Sequence, residues 1–323
     1  MDGTPKEEHA PAAHELCAPT IGEVPQLLPN ARIPSPAASV IHAPGPLRLW
    51  HLASLDAPTV ALVWSLAFAW IVRIRLPLWV SALLALAVWA VYIADRLLDA
   101  RAALHSQNLH RLRDRHFFHW RHRRILVPLA IASAAAAAAI VFTLMPPISR
   151  ERNSILAAAS LVYFTRVHTG RKQPPFISKE LLVGLLFTAG CALPALTRIS
   201  THSGAPTLLL LAPLLIPVAF FALLAWLNCH AIDRWEADQH SPAKLPIPSL
   251  AALLTLAGLF LAALLLNSQP RSAALLATGS AAALLLALLH RLRTRLTPVA
   301  LRTAADLALL TPLLLIRVVP LFR

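Results

Sequence analysis

From residue 52 onward the chain alternates long apolar runs with short polar, arginine-rich connections. A helix needs about 20 residues to cross roughly 30 Å of hydrocarbon. Runs of that order lie at 52–72, 76–95, 125–145, 153–167, 180–197, 206–228, 248–267, 272–290 and 299–321. The pattern predicts an all-α, polytopic membrane bundle of about nine transmembrane helices. Lipid admits only helices or closed barrels as spanning structures, and unalternating Ala/Leu runs exclude barrel strands. Residues 1–50 break the pattern: they hold nine of the 27 prolines and no apolar run. They read as a disordered Pro-rich tail, with 51–323 as the transmembrane domain. The first apolar run is expected to direct insertion.

Composition sharpens this picture. The 323 residues are 57% hydrophobic and 14% charged, with a mean hydropathy of +0.63. A soluble domain carries about 25% charged residues. Three cysteines without CxxC spacing exclude a disulfide scaffold. The formal net charge is nevertheless +14. One alternating set of connections carries 17 of the basic residues between the spans and the other carries six. The positive-inside rule then places the basic set, and the N-terminus, in the cytoplasm. The Arg-dominated, Ala/Leu-rich composition points to a bacterial inner membrane. The basic excess is read as orientation and attraction to anionic lipid, not as nucleic-acid binding.

Acids are scarcer and more informative. Of 15, five sit in the tail and ten in the body. Five of those ten gather at two span ends that share a side: Asp95 and Asp99, then Asp233, Glu236 and Asp238. Asp95 and Asp99 lie one helical turn apart on one face. Such a pair suits a hard cation such as Mg²⁺, which takes one or two carboxylates plus phosphate oxygens and water. The alternative is a polar helix end where acids pair with nearby arginines. Asp233 and Glu236 also share a face, with His230 one turn before Asp233 and Asn228 eight residues before Glu236. Ionisable groups at membrane depth face a cavity or a partner, so two such ends could serve one site.

These residues resemble the UbiA-type intramembrane prenyltransferases, nine-helix proteins with an Asn-Asp-x-x-Asp-x-x-x-Asp motif ending the second helix and an aspartate-rich motif ending the sixth. Ala94-Asp95-Arg96 and Asp99 fit the first motif, with Val91 and Tyr92 in place of its Asn and first Asp. The second motif aligns in two ways. Anchored on Asn228, its middle aspartate becomes Ile232 and its last Glu236. Anchored on Glu236-Ala237-Asp238, its earlier aspartate becomes Arg234, with Asp233 one residue out of register. Lys179, at the head of the fifth span, is also similar. The resemblance covers about residues 50 to 320. It implies Mg²⁺ held by Asp95, Asp99, Asp233, Glu236 and Asp238, and an isoprenoid diphosphate donor. It also implies a lipophilic acceptor, of which an aromatic one is the expectation, with Asp95, Asp99 and Asp233 catalytic. Asn228, His230, Arg96, Arg101, Lys172 and Lys179 would contact substrate.

The loop after the first cluster carries His105, His110 and the three-residue repeat His116, His119, His122. It reads as an interfacial helix with Phe117, Phe118 and Trp120 in the headgroup layer; in the resembling family this loop covers the active site. Arg302 and Asp306 read as an ion pair within the last span. Two other functions compete with the prenyltransferase: a UbiA-like protein that binds lipid or isoprenoid without turnover, and a transporter that uses intramembrane acids.

Overall fold

The computed structural model describes residues 45–105, 114–168, 178–202, 208–236 and 246–315. The chain divides between Ala43 and Pro44, and the unit from Pro44 onward is the one described here. Its helices are α1 (Pro46–Leu52), α2 (Asp56–Ile71), α3 (Leu78–His105), α4 (Asp114–Arg121), α5 (Arg123–Thr143), α6 (Pro147–His168), α7 (Lys179–His202), α8 (Leu208–Glu236), α9 (Ile247–Leu265), α10 (Pro270–Leu292) and α11 (Pro298–Ala308). A 3-10 turn, Thr311–Leu314, follows. No strand occurs among the described residues.

Six helices among the described residues are long and apolar enough to cross a membrane: α3, α5, α7, α8, α9 and α10. The bent pair α1 and α2 makes a seventh if it counts as one span. The protein is therefore a multi-pass, all-helical membrane protein, and the expected count of nine is not reproduced. The run at 153–167 lies within α6, which opens on a polar stretch (Arg150-Glu151-Arg152-Asn153-Ser154) that overlaps the start of the run. The last run, 299–321, begins as an α11 of only 11 residues. The first is shortened by a 90° corner between α1 and α2. That corner turns on Ser54, which holds a left-handed φ of 55°. The Trp89 indole donates to the adjacent Ala53 carbonyl (3.0 Å), and the Ser54 hydroxyl meets His119 Nε2 (3.2 Å). A non-glycine residue keeps such a φ only where its surroundings fix it.

The core lies where α2, α8 and α10 meet. Ala61, Trp64 and Phe68 recur at helical spacing on α2 and are all but fully buried. Trp64 stacks on Phe221 of α8, with ring centroids 3.9 Å apart. Its indole donates to the Leu309 carbonyl (2.9 Å). Small residues bring helices close, as membrane packing requires. The Phe220 ring fills the space left by Gly258 on α9 and Gly279 on α10. Gly184 on α7 sits against the α8 backbone at Trp226. Pro217 in α8 lacks the N–H that would bond to the Pro213 carbonyl; the Ser272 hydroxyl donates to that carbonyl instead (2.8 Å). In lipid such an orphan must be met from inside the protein.

The outer faces remain apolar. Leu253, Leu256, Phe260 and Leu264 on α9 are all more than 60% exposed, as are Ile131 and Phe142 on α5. On a soluble protein this would be an aggregation surface; on a membrane bundle it is the lipid-facing side.

The α7–α8 crossing gives a direct test. A Cβ at Gly184 would lie 2.9 Å from the Trp226 backbone nitrogen, and backbone cannot rotate away. Gly184→Val is expected to cost about 1–3 kcal/mol and lower the thermal midpoint in detergent. Gly190→Ala, where a Cβ meets nothing within 4 Å, is expected to leave it unchanged or raise it, since alanine is the better helix former.

Candidate functional site

The polar groups gather at one end of the bundle, around the C-termini of α3, α6 and α8. The α3 helix places Asp95 and Asp99 one turn apart, as the spacing predicted. The structure adds a residue from the end of α6. His168 Nε2 lies 3.6 Å from Asp95 Oδ1 and 3.8 Å from Asp99 Oδ1. The three potential ligand atoms all fall within 4.8 Å of one another. Around this triad, Arg96 Nη1 approaches Asp95 Oδ2 (3.4 Å) and His116 Nε2 approaches Asp99 Oδ2 (3.9 Å). His168 Nδ1–H donates to the Phe164 carbonyl (2.9 Å). Lys179, at the start of α7, is close enough to act on Asp99 electrostatically, and Tyr163 is close enough to feel both carboxylates.

The second acid cluster is used differently. Glu236 is held by two guanidinium groups. Arg115 Nη1 and Nη2 donate to its two oxygens at 2.7 and 3.1 Å. Arg302 Nη1 donates to the first of those oxygens at 2.9 Å. Both carboxylate oxygens are thus occupied, and Glu236 forms a structural clamp joining α4, α8 and α11. The expected Arg302–Asp306 pair is not the contact formed: Arg302 reaches Glu236. Asp306 meets His51 (3.5 Å) and accepts from Asn228 Nδ2 (3.3 Å). His51 Nδ1 in turn donates to Asp56 (2.7 Å), a second acid–histidine group buried where α1, α2 and α11 meet.

The α4 helix links the two acid clusters, because neighbouring residues reach opposite ways: Arg115 to Glu236, His116 towards Asp99. His119 is fully buried; its Nδ1–H donates to the Arg115 carbonyl (2.7 Å) and its Nε2 meets Ser54. Phe117 is 44% exposed on the other side, and Arg123 covers the Trp120 ring at 4.6 Å. His116 and His119 are therefore the buried face of α4, while His122, just past its end, is half-buried. Burial, with Arg115, Arg96 and Arg302 nearby, pushes His116 down to about 3. Burial likewise takes His119 down to about 4. Burial and the neighbouring Arg302 and Arg96 bring Arg115 down to about 9.

The other expected site residues divide as follows. Asn228 is buried and donates to Asp306 of α11. His230 stacks on Trp226 at 5.6 Å. Asp233 is half-buried on α8, and Arg101 is exposed on the last turn of α3. Lys172, Asp238 and His110 lie outside the described residues, as does the side chain of His105. The residue that sequence reasoning left without a role is His168, whose signal, a histidine at a helix end, is too common to single out. Compared with known protein families, curated proteins and solved structures, the chain matches none.

Two predictions separate the clamp from the triad. Glu236→Gln leaves two guanidinium groups without a carboxylate. It is expected to cost about 2–3 kcal/mol, below the value for a fully enclosed pair, because 22% of the Glu236 side chain is exposed. Asp95→Asn should leave the thermal midpoint unchanged or raise it. The pH dependence follows from α4. Unfolded histidine takes a proton near 6.5, whereas folded His116 and His119 resist until about 3 and 4. Stability is thus full above about pH 6.5 and falls as pH drops from there towards 4. A pH series of unfolding midpoints checks this, and His119→Gln should flatten the slope.

Proposed function

We propose that this protein is an intramembrane prenyltransferase, moving an isoprenoid group from a prenyl diphosphate to a lipophilic acceptor. The observation that carries the reading is the convergence of Asp95, Asp99 and His168 at the end of a lipid-facing helix bundle, with Lys179 beside them. Two carboxylates and an imidazole aimed at one gap form a donor set that fits a divalent cation, and the oxygens suit the Mg²⁺ that the family resemblance implies. A cation held there supplies neutralising charge to a departing diphosphate.

The chain's own residues do the rest. Lys179 and Arg96 offer positive charge to phosphate oxygens around the triad. The polyprenyl tail, too apolar for water, would lie along the lipid-facing sides of α3 and α6; no described side chain of α6 is buried. The α4 helix packs beside α3 and brings His116 towards Asp99, a position from which it could limit water near an allylic cation. Within this reading Glu236 is not a metal ligand, since its oxygens are already taken by Arg115 and Arg302. A cation would be held by Asp95 and Asp99 of α3 with His168 at the end of α6.

That same occupation of Glu236 favours one second reading, an isoprenoid-binding protein without turnover. Full-length protein in lipid nanodiscs with Mg²⁺ and radiolabelled prenyl diphosphates of several lengths, tested with a panel of aromatic acceptors, decides between them. Turnover is expected to release diphosphate. Asp95→Ala and Asp99→Ala should lower that rate by at least about 100-fold, because losing a ligand exceeds the 10–100-fold typical of outer-shell changes. Saturable binding without release supports the second reading, and unchanged release in both variants refutes the site.

A further inference from the structure

The acid–histidine triad is organised beyond what a pair of carboxylates needs. Each of its three members presents one atom to the shared gap; behind it, His168 is hydrogen-bonded, Asp95 is close to a guanidinium, and Asp99 has His116 at a longer distance. Asp95 turns Oδ1 towards His168, while its Oδ2 faces Arg96 (3.4 Å). Asp99 turns Oδ1 to the same point, while its Oδ2 faces His116 (3.9 Å). His168 donates Nδ1–H to the Phe164 carbonyl (2.9 Å). A carbonyl only accepts, so Nδ1 carries the ring proton, and in the neutral ring Nε2 is left as a lone pair. That lone pair is aimed at two carboxylate oxygens. Outer partners that fix tautomer and orientation in this way are the usual support of metal-bound histidines and carboxylates.

The distances point the same way. The His168 Nε2 atom is buried with no hydrogen-bond partner. Were it a protonated donor between two carboxylates, it would close to about 2.7–2.9 Å on one of them. It stands instead at 3.6 and 3.8 Å from both. Donor atoms bound to one ion, each about 2.0–2.2 Å from it, are separated from one another by roughly 3–4 Å.

We infer that His168 is a direct metal ligand and that it makes this centre selective for a first-row transition ion, such as Mn²⁺, over Mg²⁺. The inference rests on the reading that Asp95 and Asp99 hold a cation. The chemical reason is the nitrogen. Mg²⁺ takes oxygen ligands and keeps its water, whereas imidazole favours the first-row transition ions. Neither the spacing of Asp95 and Asp99 nor the family resemblance contains this residue.

The test uses the full-length chain, purified through a tag without histidine and freed of metal by chelation. Mn²⁺ binding is measured by electron paramagnetic resonance, with Mg²⁺ as competitor. Pulsed experiments on the bound ion then look for coupling to a nitrogen nucleus. Expected are stoichiometric Mn²⁺, at least a tenfold excess of Mg²⁺ needed to displace half of it, and a ¹⁴N coupling. That coupling should vanish in His168→Gln and persist in His116→Gln. The tenfold discrimination should also collapse in His168→Gln. Bound Mn²⁺ without nitrogen coupling, or a coupling that disappears in His116→Gln instead, overturns the inference and leaves the cation at Asp95 and Asp99 standing. No stoichiometric binding of either ion overturns both. If His168→Gln fails to fold, His168→Asn takes its place in the same measurement, and a coupling that persists there overturns the inference.

Discussion

At the polar end of this bundle one carboxylate holds three separate pieces of chain together. Glu236 lies between Arg115 and Arg302, and the two guanidinium groups belong to helices far apart in sequence. Beside a membrane core such charges have no cheap alternative. Water is scarce, and a guanidinium without a partner there is far more costly than one at a protein surface. The clamp therefore fixes where α4 can sit. The seat of α4 in turn puts His116 against Asp99 and His119 against the Ser54 corner. The approach of His116 to Asp99 is thus set by an ion pair elsewhere on the same helix.

The same constraint acts further along the bundle. The Ser272 hydroxyl serves the carbonyl that Pro217 leaves bare, and the Trp64 indole serves Leu309 at the end of α11. Each is a polar obligation met by a neighbour because lipid cannot meet it. Between these points the contacts are packing alone: glycines that admit Phe220, and stacked Trp64 and Phe221. The bundle is thus closely packed where α2, α8 and α10 meet, whereas no described side chain of α6 is buried.

What could be read from sequence follows from the range of each interaction. The apolar runs and the Asp95–Asp99 face are local properties of a helix, so periodicity exposes them. The span count was less legible, because run length ignores Arg150-Glu151-Arg152 at the start of α6 and the corner at Ser54. The partners of Glu236 were not legible at all. Arg302 sits one turn from Asp306, and local reasoning pairs those two; the fold instead brings Glu236 across to it. His168 was hidden for the same reason: its meaning lies in two carboxylates on another helix.

The clamp also carries a sense of time. Arg115 is separated by 121 positions from Glu236, which precedes Arg302 by another 66. A ribosome delivers them in that order. Until α11 emerges, Glu236 has one of its two arginines, and Asp306 is not yet present for His51 and Asn228. The polar end of the nascent protein must wait among headgroups and water, with the early helices already inserted. A chain cut short before residue 302 would keep its membrane segments and the Arg115–Glu236 contact yet lack the link that ties α11 to them.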